Sequence, residues 1–111
     1  MMTNRVPLYE SGRATAAANG LATVELRSPR AHEWWRVTGA SVSGNSALEP
    51  TVKVYRGFVS ESSVIGGSLT GNLDSATGDD LIQPGEAVIC QWTGATPGTL
   101  FTFTIQGERW K

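Results

Sequence analysis

Short runs in which apolar and polar residues alternate are the feature of this sequence that most constrains its fold. From Ala22 onward, β-branched and aromatic residues alternate with polar ones, and clusters of Gly, Pro, Asn or Ser separate one run from the next. Because successive side chains of a strand point to opposite faces of a sheet, such runs are typical of half-buried β-strands. No window of ten or more residues carries the apolar spacing of an amphipathic helix. The sequence therefore predicts an all-β fold.

The runs are numerous enough for two packed sheets. The predicted strands are Ala22–Arg27, Trp34–Ser43, Thr51–Gly57, Ala87–Trp92 and Thr99–Gly107, with two short, weaker candidates at Val64–Gly66 and Leu81–Gln83. Strands at this spacing in a chain of 111 residues are typical of a single antiparallel β-sandwich or jelly-roll domain.

The last strand supplies the predicted core. The core row is made of its alternate residues Phe101, Phe103 and Ile105. We expect Val52 and Val54 to join this row, since they also alternate along a strand, and this leaves Tyr55 on the outer face.

Glycine and proline mark the connections. Pro84-Gly85 predicts a type II turn, because this turn places Pro second and a residue with positive φ third. Residues 93–98 are expected to join two strands that are hydrogen-bonded neighbours. Residues 66–80, which include four glycines, are expected to form a long polar loop.

The first 20 residues differ from the rest. They contain one short apolar cluster, Val6-Pro7-Leu8-Tyr9, followed by small residues. We therefore predict an extended N-terminal arm over residues 1–20 and a β-sandwich domain over residues 21–111.

Charge and composition exclude several classes of function. The formal net charge is −1, which argues against a nucleic-acid partner because affinity for phosphate backbones needs clustered positive charge. There is no apolar run long enough to span a membrane and no apolar core of a secretory signal, so we expect no membrane association and synthesis without export. Residues 1–36 carry five Arg against three Glu, whereas residues 37–107 carry two basic against six acidic residues. This charge asymmetry suits head-to-tail contacts between subunits. The alternative is an ordinary surface of mixed charge that takes no part in subunit contacts.

Candidate catalytic and metal-binding residues are few. The single cysteine, Cys90, lies in an apolar strand, where a thiol is unreactive, and the single histidine, His32, is distant in sequence. Asp74, Asp79 and Asp80 form the one acidic cluster, but their spacing does not match a calcium loop, so we interpret them as a solvated turn. We expect no enzyme activity, no metal and no cofactor.

Tryptophans are the strongest candidates for binding. Trp34 and Trp35 are adjacent and must face opposite sides of a strand, so one of them is expected to be exposed or covered by a partner. The alternative for Trp34 is cover by the arm of the same chain. Trp92 is expected to close one end of the core, and Trp110 to act as a clasp or as an interface anchor.

The order of several short motifs resembles small virion proteins of tailed bacteriophages, notably those of actinobacterial phages. The resemblance covers about residues 20–107 and rests on Ala22-Thr23-Val24-Glu25-Leu26, Trp35-Arg36-Val37, Val54-Tyr55-Arg56-Gly57, Gly71-Asn72-Leu73-Asp74, Gln83-Pro84-Gly85-Glu86 and Trp92-Thr93-Gly94-Ala95-Thr96-Pro97-Gly98. It implies a non-enzymatic β-sandwich located in the virion and assembled in the host bacterial cytoplasm.

Within that family, a capsid decoration protein is the first expectation. The resemblance then implies binding to the major capsid protein or other virion proteins, with a homo-oligomer, such as a trimer, as the expected state. The expected partner-binding residues are Arg5, Val6, Pro7, Leu8, Tyr9, Arg13, Trp34 and Trp110.

Two alternatives remain open at this point. A tail or baseplate component would use its loops to touch host glycan. A carbohydrate-binding module would use Trp34, Tyr55 and the long loops.

Overall fold

The computed structural model describes residues 5–60, 63–65, 69–70 and 72–111. Within them lie eight strands: β1 (Val6–Thr15), β2 (Ala22–Arg27), β3 (Trp34–Ser43), β4 (Thr51–Arg56), β5 (Leu69–Thr70), β6 (Leu73–Ile82), β7 (Ala87–Thr93) and β8 (Leu100–Trp110). No helix in these residues is long and apolar enough to cross a membrane.

The strands form two antiparallel four-stranded sheets. Sheet A has the order β1-β8-β3-β6 and sheet B the order β2-β7-β4-β5. Alternation of strands between two packed sheets in this order is the topology of an eight-stranded jelly roll. The predicted all-β sandwich or jelly roll is therefore confirmed.

The core lies between the inner faces of the two sheets. Phe101, Phe103 and Ile105 are fully buried, as predicted, and Val52 and Val54 pack with them. The Trp92 ring stacks on Phe101 with ring centroids 4.8 Å apart. Because these side chains come from both sheets, they hold the sheets together through buried apolar area.

Residues 1–4 of the predicted extended N-terminal arm lie outside the described ranges, and the prediction is wrong for residues 6–15. They make strand β1, which pairs with β8 from Val6 opposite Arg109 to Thr15 opposite Leu100. The inward side chains after Leu8 are charged or small, so the sequence lacks the usual alternation. Small size is required here, since a Cβ on Gly12 would come within 2.6 Å of Val24 Cγ1.

The prediction of a long loop over residues 66–80 is also wrong for the residues that the structure describes. Residues 69–70 form β5, and most of the remainder lies in β6; residues 66–68 and 71 lie outside the described ranges. β6 is the last strand of sheet A, and an edge strand needs fewer apolar residues because its outer side faces solvent.

The turns give a mixed result. Gly85 has φ of 83° and the Glu86 N–H donates to the Gln83 carbonyl at 3.0 Å, which confirms the predicted turn. Residues 93–98 do not join neighbouring strands, because β7 belongs to sheet B and β8 to sheet A. Of the weak strand predicted at Val64–Gly66, the described residues form only an isolated bridge between Val64 and Tyr55, and Gly66 lies outside the described ranges.

Candidate partner-binding surface

The outer face of sheet A brings together several of the predicted binding residues. Trp34 of β3 lies directly opposite Trp110 of β8, and both side chains are half-buried. Trp35 points the other way, into the core, with 1% of its surface exposed. We call the surface formed by Arg5, Trp34, Arg36, Glu108 and Trp110 the Trp34–Trp110 patch.

Arg5 joins the patch through two contacts. Its guanidinium carbon lies 4.4 Å from the centroid of the Trp110 ring, and its Nη1 lies 3.0 Å from Oε2 of Glu108. The ion pair is about half exposed on both sides, so it contributes about 0 to 1 kcal/mol. The cation–π contact adds about 0.5 to 1 kcal/mol at an exposed site.

A second ion pair lies on the same face. Arg36 Nε is 3.1 Å from Oδ1 of Asp79. The patch therefore combines two tryptophans with two arginines, the residue types that are enriched at the energetic centres of protein interfaces.

The other predicted binding residues separate into three groups. Pro7 shares the outer face with the patch, and Tyr9 and Arg13 lie farther along that face, exposed. Val6 is 44% exposed near the same end. Leu8 is buried in the core of its own chain, so its assignment to a partner is corrected.

A shallow groove occupies the middle of this face. It measures about 300 Å³ and is lined by Tyr9, Gly39, Ala40, Ser41, Ser75, Ala76, Thr77, Thr104 and Gln106. Tyr9 is 68% exposed at its edge. Among the residues that the structure describes, no charged side chain lines this groove.

Glu33 anchors the start of β3 and was missed by sequence reasoning. Its buried carboxylate accepts hydrogen bonds from the Trp35 indole at 2.9 Å and the Ser28 hydroxyl at 2.8 Å, and it pairs with Arg30 at 3.2 Å. Burial raises the pKa of Glu33, but these hydrogen bonds and the Arg30 charge outweigh it, so the pKa is lowered overall. The sequence signal that could have identified Glu33 was its position, a charged residue immediately before a strand that begins with two tryptophans.

The aspartates predicted for a turn lie instead on β6. Asp79 faces outward to Arg36, and burial raises the pKa of Asp80, with Arg56 opposing and Asp79 adding to the effect. Across the described ranges, no three His, Cys, Asp or Glu side chains are grouped in a way that could hold a metal ion.

The remaining candidates lie apart from this surface. Cys90 is fully buried, and burial raises the pKa of its thiol, whereas His32 is exposed in the loop before β3. Tyr55 is only 7% exposed and packs against Ala87 and Ile89 on the outer face of sheet B. The prediction that Tyr55 is available for glycan binding is therefore wrong, because Val64 packs against it and pairs with it in an isolated bridge.

No protein-family model matches the chain, and no curated protein sequence matches it. Among solved structures, it is similar to a chain of the acidic stable capsid structure of Helicobacter pylori bacteriophage KHP30, with 12% identity, a TM-score of 0.61, and coverage of 99% of this chain and 94% of that one.

Two further likenesses are too distant to carry an argument. The enzymatically active domain of tailspike protein 4 of bacteriophage CBA120 is 10% identical, with a TM-score of 0.34 over 96% of this chain and 19% of that one. A family two carbohydrate esterase from Cellvibrio japonicus is 11% identical, with a TM-score of 0.31 over 99% of this chain and 36% of that one. What the comparisons establish is that the chain shares its fold, over nearly its full length, with a chain of a phage capsid structure.

Proposed function

We propose that this protein is a non-enzymatic structural component of a phage virion, and specifically a decoration protein on the outside of the head. The observation that carries the proposal is the match of the whole jelly roll, 99% of this chain against 94% of a chain from a phage capsid structure. The motif resemblance to tailed-phage virion proteins points to the same class.

The Trp34–Trp110 patch is the proposed contact with the capsid protein. Its tryptophans are half-buried in the isolated chain and carry two arginines beside them. Covering such a patch completes the burial of aromatic surface, which contributes about 25 cal/mol per Å². A stable interface needs about 1,200 Å² of total buried area, so the loops beside the patch would contribute as well.

An absence of catalysis is part of the proposal. A nucleophilic thiol must be ionised and accessible, whereas Cys90 is buried and the pKa of its thiol is raised. His32 is exposed in a loop, away from the buried strand that holds Cys90.

The test is binding of purified protein to phage heads that lack it. We expect saturation at a regular number of sites, and a loss of affinity of at least about tenfold in a Trp34→Ala/Trp110→Ala double variant. Phe58→Ala is the matched control, since Phe58 is 62% exposed and lies outside the patch. Failure of the wild-type protein to bind heads, or unchanged binding of a folded double variant, would contradict the proposal.

Carbohydrate binding is the second candidate, favoured by the groove beside Tyr9. An exposed aromatic ring next to uncharged hydroxyl and amide groups suits the apolar face and hydroxyls of a neutral sugar. Saturation-transfer NMR with soluble cell-wall oligosaccharides tests it. Binding that is lost in Tyr9→Ala and kept in Trp34→Ala would support this function; no saturable signal would exclude these sugars.

A further inference from the structure

Arg109 of β8 lies on the inner face of sheet A, at the end of the sandwich that carries the Trp34–Trp110 patch. It is directly opposite Val6 of β1 on one side and Trp35 of β3 on the other. Trp35 is in turn opposite Ile82 of β6. Side chains that lie opposite each other in neighbouring strands share a face, so these four residues form one row across the inner face.

Exposure along this row changes at Arg109. Ile82 and Trp35 are each 1% exposed, whereas Val6 at the other end of the row is 44% exposed. Arg109 lies between Trp35 and Val6 and is half-buried. The side of Arg109 that faces Val6 is therefore the side that a group from outside the chain can approach.

The charge of Arg109 differs in its surroundings from that of the other arginines. Arg13 is exposed, so solvent screens its charge. Arg109 is half-buried and forms no ion pair within the part of the chain that the structure describes, and its Nε is buried without a hydrogen-bond acceptor. The other five arginines each have a nitrogen between 3.0 and 3.7 Å from a carboxylate oxygen: Arg5, Arg27, Arg30, Arg36 and Arg56.

A half-buried cation without a counter-ion favours an anionic partner. Burial removes part of the hydration of the guanidinium, and no acceptor among the described residues replaces it at Nε. The planar guanidinium presents its N–H donors in a fork that matches the two oxygens of a carboxylate. A phosphate group carries about two negative charges and needs a second cation, but Arg5 and Arg30 at this end of the sandwich are already in ion pairs.

We propose that Arg109 binds a carboxylate of the partner protein, supplied by an Asp or Glu side chain whose apolar neighbour packs on Val6. This inference deepens the proposed function and rests on it for the identity of the partner, whereas the carboxylate site belongs to the isolated chain. Trp110 follows Arg109 along β8 and lies on the opposite face of the sheet. A partner that covers this end of the sandwich therefore contacts both the patch and Arg109.

NMR spectroscopy of the isotope-labelled full chain tests the site without phage heads. The probe is the capped peptide acetyl-Leu-Glu-Leu-amide, and its uncharged control is acetyl-Leu-Gln-Leu-amide. We expect the backbone amide signals of Val6 and Trp35 to shift saturably with the first peptide and not with the second. Arg109→Gln is expected to abolish this response. Arg27→Gln is the matched control and is expected to keep it, because Arg27 is exposed on sheet B and already paired with Glu25.

Three results would overturn the proposal. The first is an equal response to the two peptides, and the second is an unchanged response in Arg109→Gln. The third is a saturable shift with inorganic phosphate and none with the Glu peptide, which would indicate a phosphate ligand instead. Arg109→Lys keeps the charge and the apolar stem but loses the planar fork, so we expect a folded variant that binds the Glu peptide more weakly than the wild type.

Binding to phage heads then relates the site to the proposed function. We expect Arg109→Gln to lose affinity for heads by at least about tenfold and Arg27→Gln to bind as the wild type does. Peptide binding by a wild-type chain that does not bind heads would contradict the proposed function alone. Head binding that is unchanged in Arg109→Gln would contradict the carboxylate contact alone.

Discussion

The indole N–H of Trp35 donates a hydrogen bond to the buried carboxylate of Glu33, two residues earlier in the chain and 2.9 Å away. This contact joins the loop before β3 to a side chain that fills the core. Ser28 and Arg30 donate to the same carboxylate, so one acidic group holds the loop in place.

Glu33→Gln is therefore expected to destabilise the fold by about 1 to 3 kcal/mol, because hydrogen bonds to a charged group are lost or weakened. Chemical denaturation at pH 7 measures the change. Glu25→Gln is the control, since Glu25 is more than half exposed and its Arg27 contact is 3.7 Å long. Equal stability of the two variants would show that the carboxylate does not anchor the loop.

The same carboxylate predicts a pH dependence. The pKa of Glu33 is lowered in the folded state from its ordinary value of 4.5, so the folded state binds its proton less well than the unfolded state. Its stabilising effect is therefore complete above pH 4.5 and is lost as the pH falls through the lowered pKa. Denaturation curves from pH 7 to pH 3 should show the wild type converging on Glu33→Gln; a constant difference would contradict this assignment.

Leu8 and Tyr9 test whether β1 is part of the core. Leu8 is 2% exposed and Tyr9 is 68% exposed. We expect Leu8→Ala to cost about 2 to 5 kcal/mol of unfolding free energy through lost burial and a cavity, and Tyr9→Ala to cost well under half of that. Similar small losses in both variants would mean that β1 is not docked as the structure describes.

Cys90 predicts the behaviour of the single thiol. It is fully buried, and burial raises the pKa of the thiol, so the nucleophilic thiolate is scarce. We expect a thiol reagent such as dithionitrobenzoate to react with the unfolded protein and to be almost unreactive toward the native one at pH 8. Rapid stoichiometric labelling of native protein would contradict this burial.

Strands with apolar alternation were predictable, and strands without it were not. Ala22–Arg27 and Trp34–Ser43 coincide with β2 and β3, because large apolar residues mark their inner faces. β1 and β6 are edge strands, and both carry glycine and charged residues where an ordinary strand would alternate apolar with polar residues. At position 12 the side chain of Val24 comes so close that only glycine fits. A large apolar residue, which would have marked β1 as a strand in the sequence, is therefore absent there, and the reason is visible only in the folded structure.

The candidate binding surface was predictable in part for a similar reason. Adjacent Trp34 and Trp35 must point to opposite faces, and this fixed one of them outside the core. The neighbours of Trp34 were not accessible to sequence reasoning, because Trp110 lies opposite Trp34, and Arg5 in turn contacts Trp110, only through strand pairing between distant segments. Tyr55 shows the reverse case, since its outward position was correct but the chain itself covers that face.

The most direct test of the proposed role is the number of copies of this protein per purified virion, measured by quantitative mass spectrometry against the major capsid protein. A decoration protein is expected in hundreds of copies, in a fixed ratio to the capsid protein. A few copies in multiples of three or six would instead indicate a tail or baseplate component. Absence from the particle would contradict a structural role in the virion.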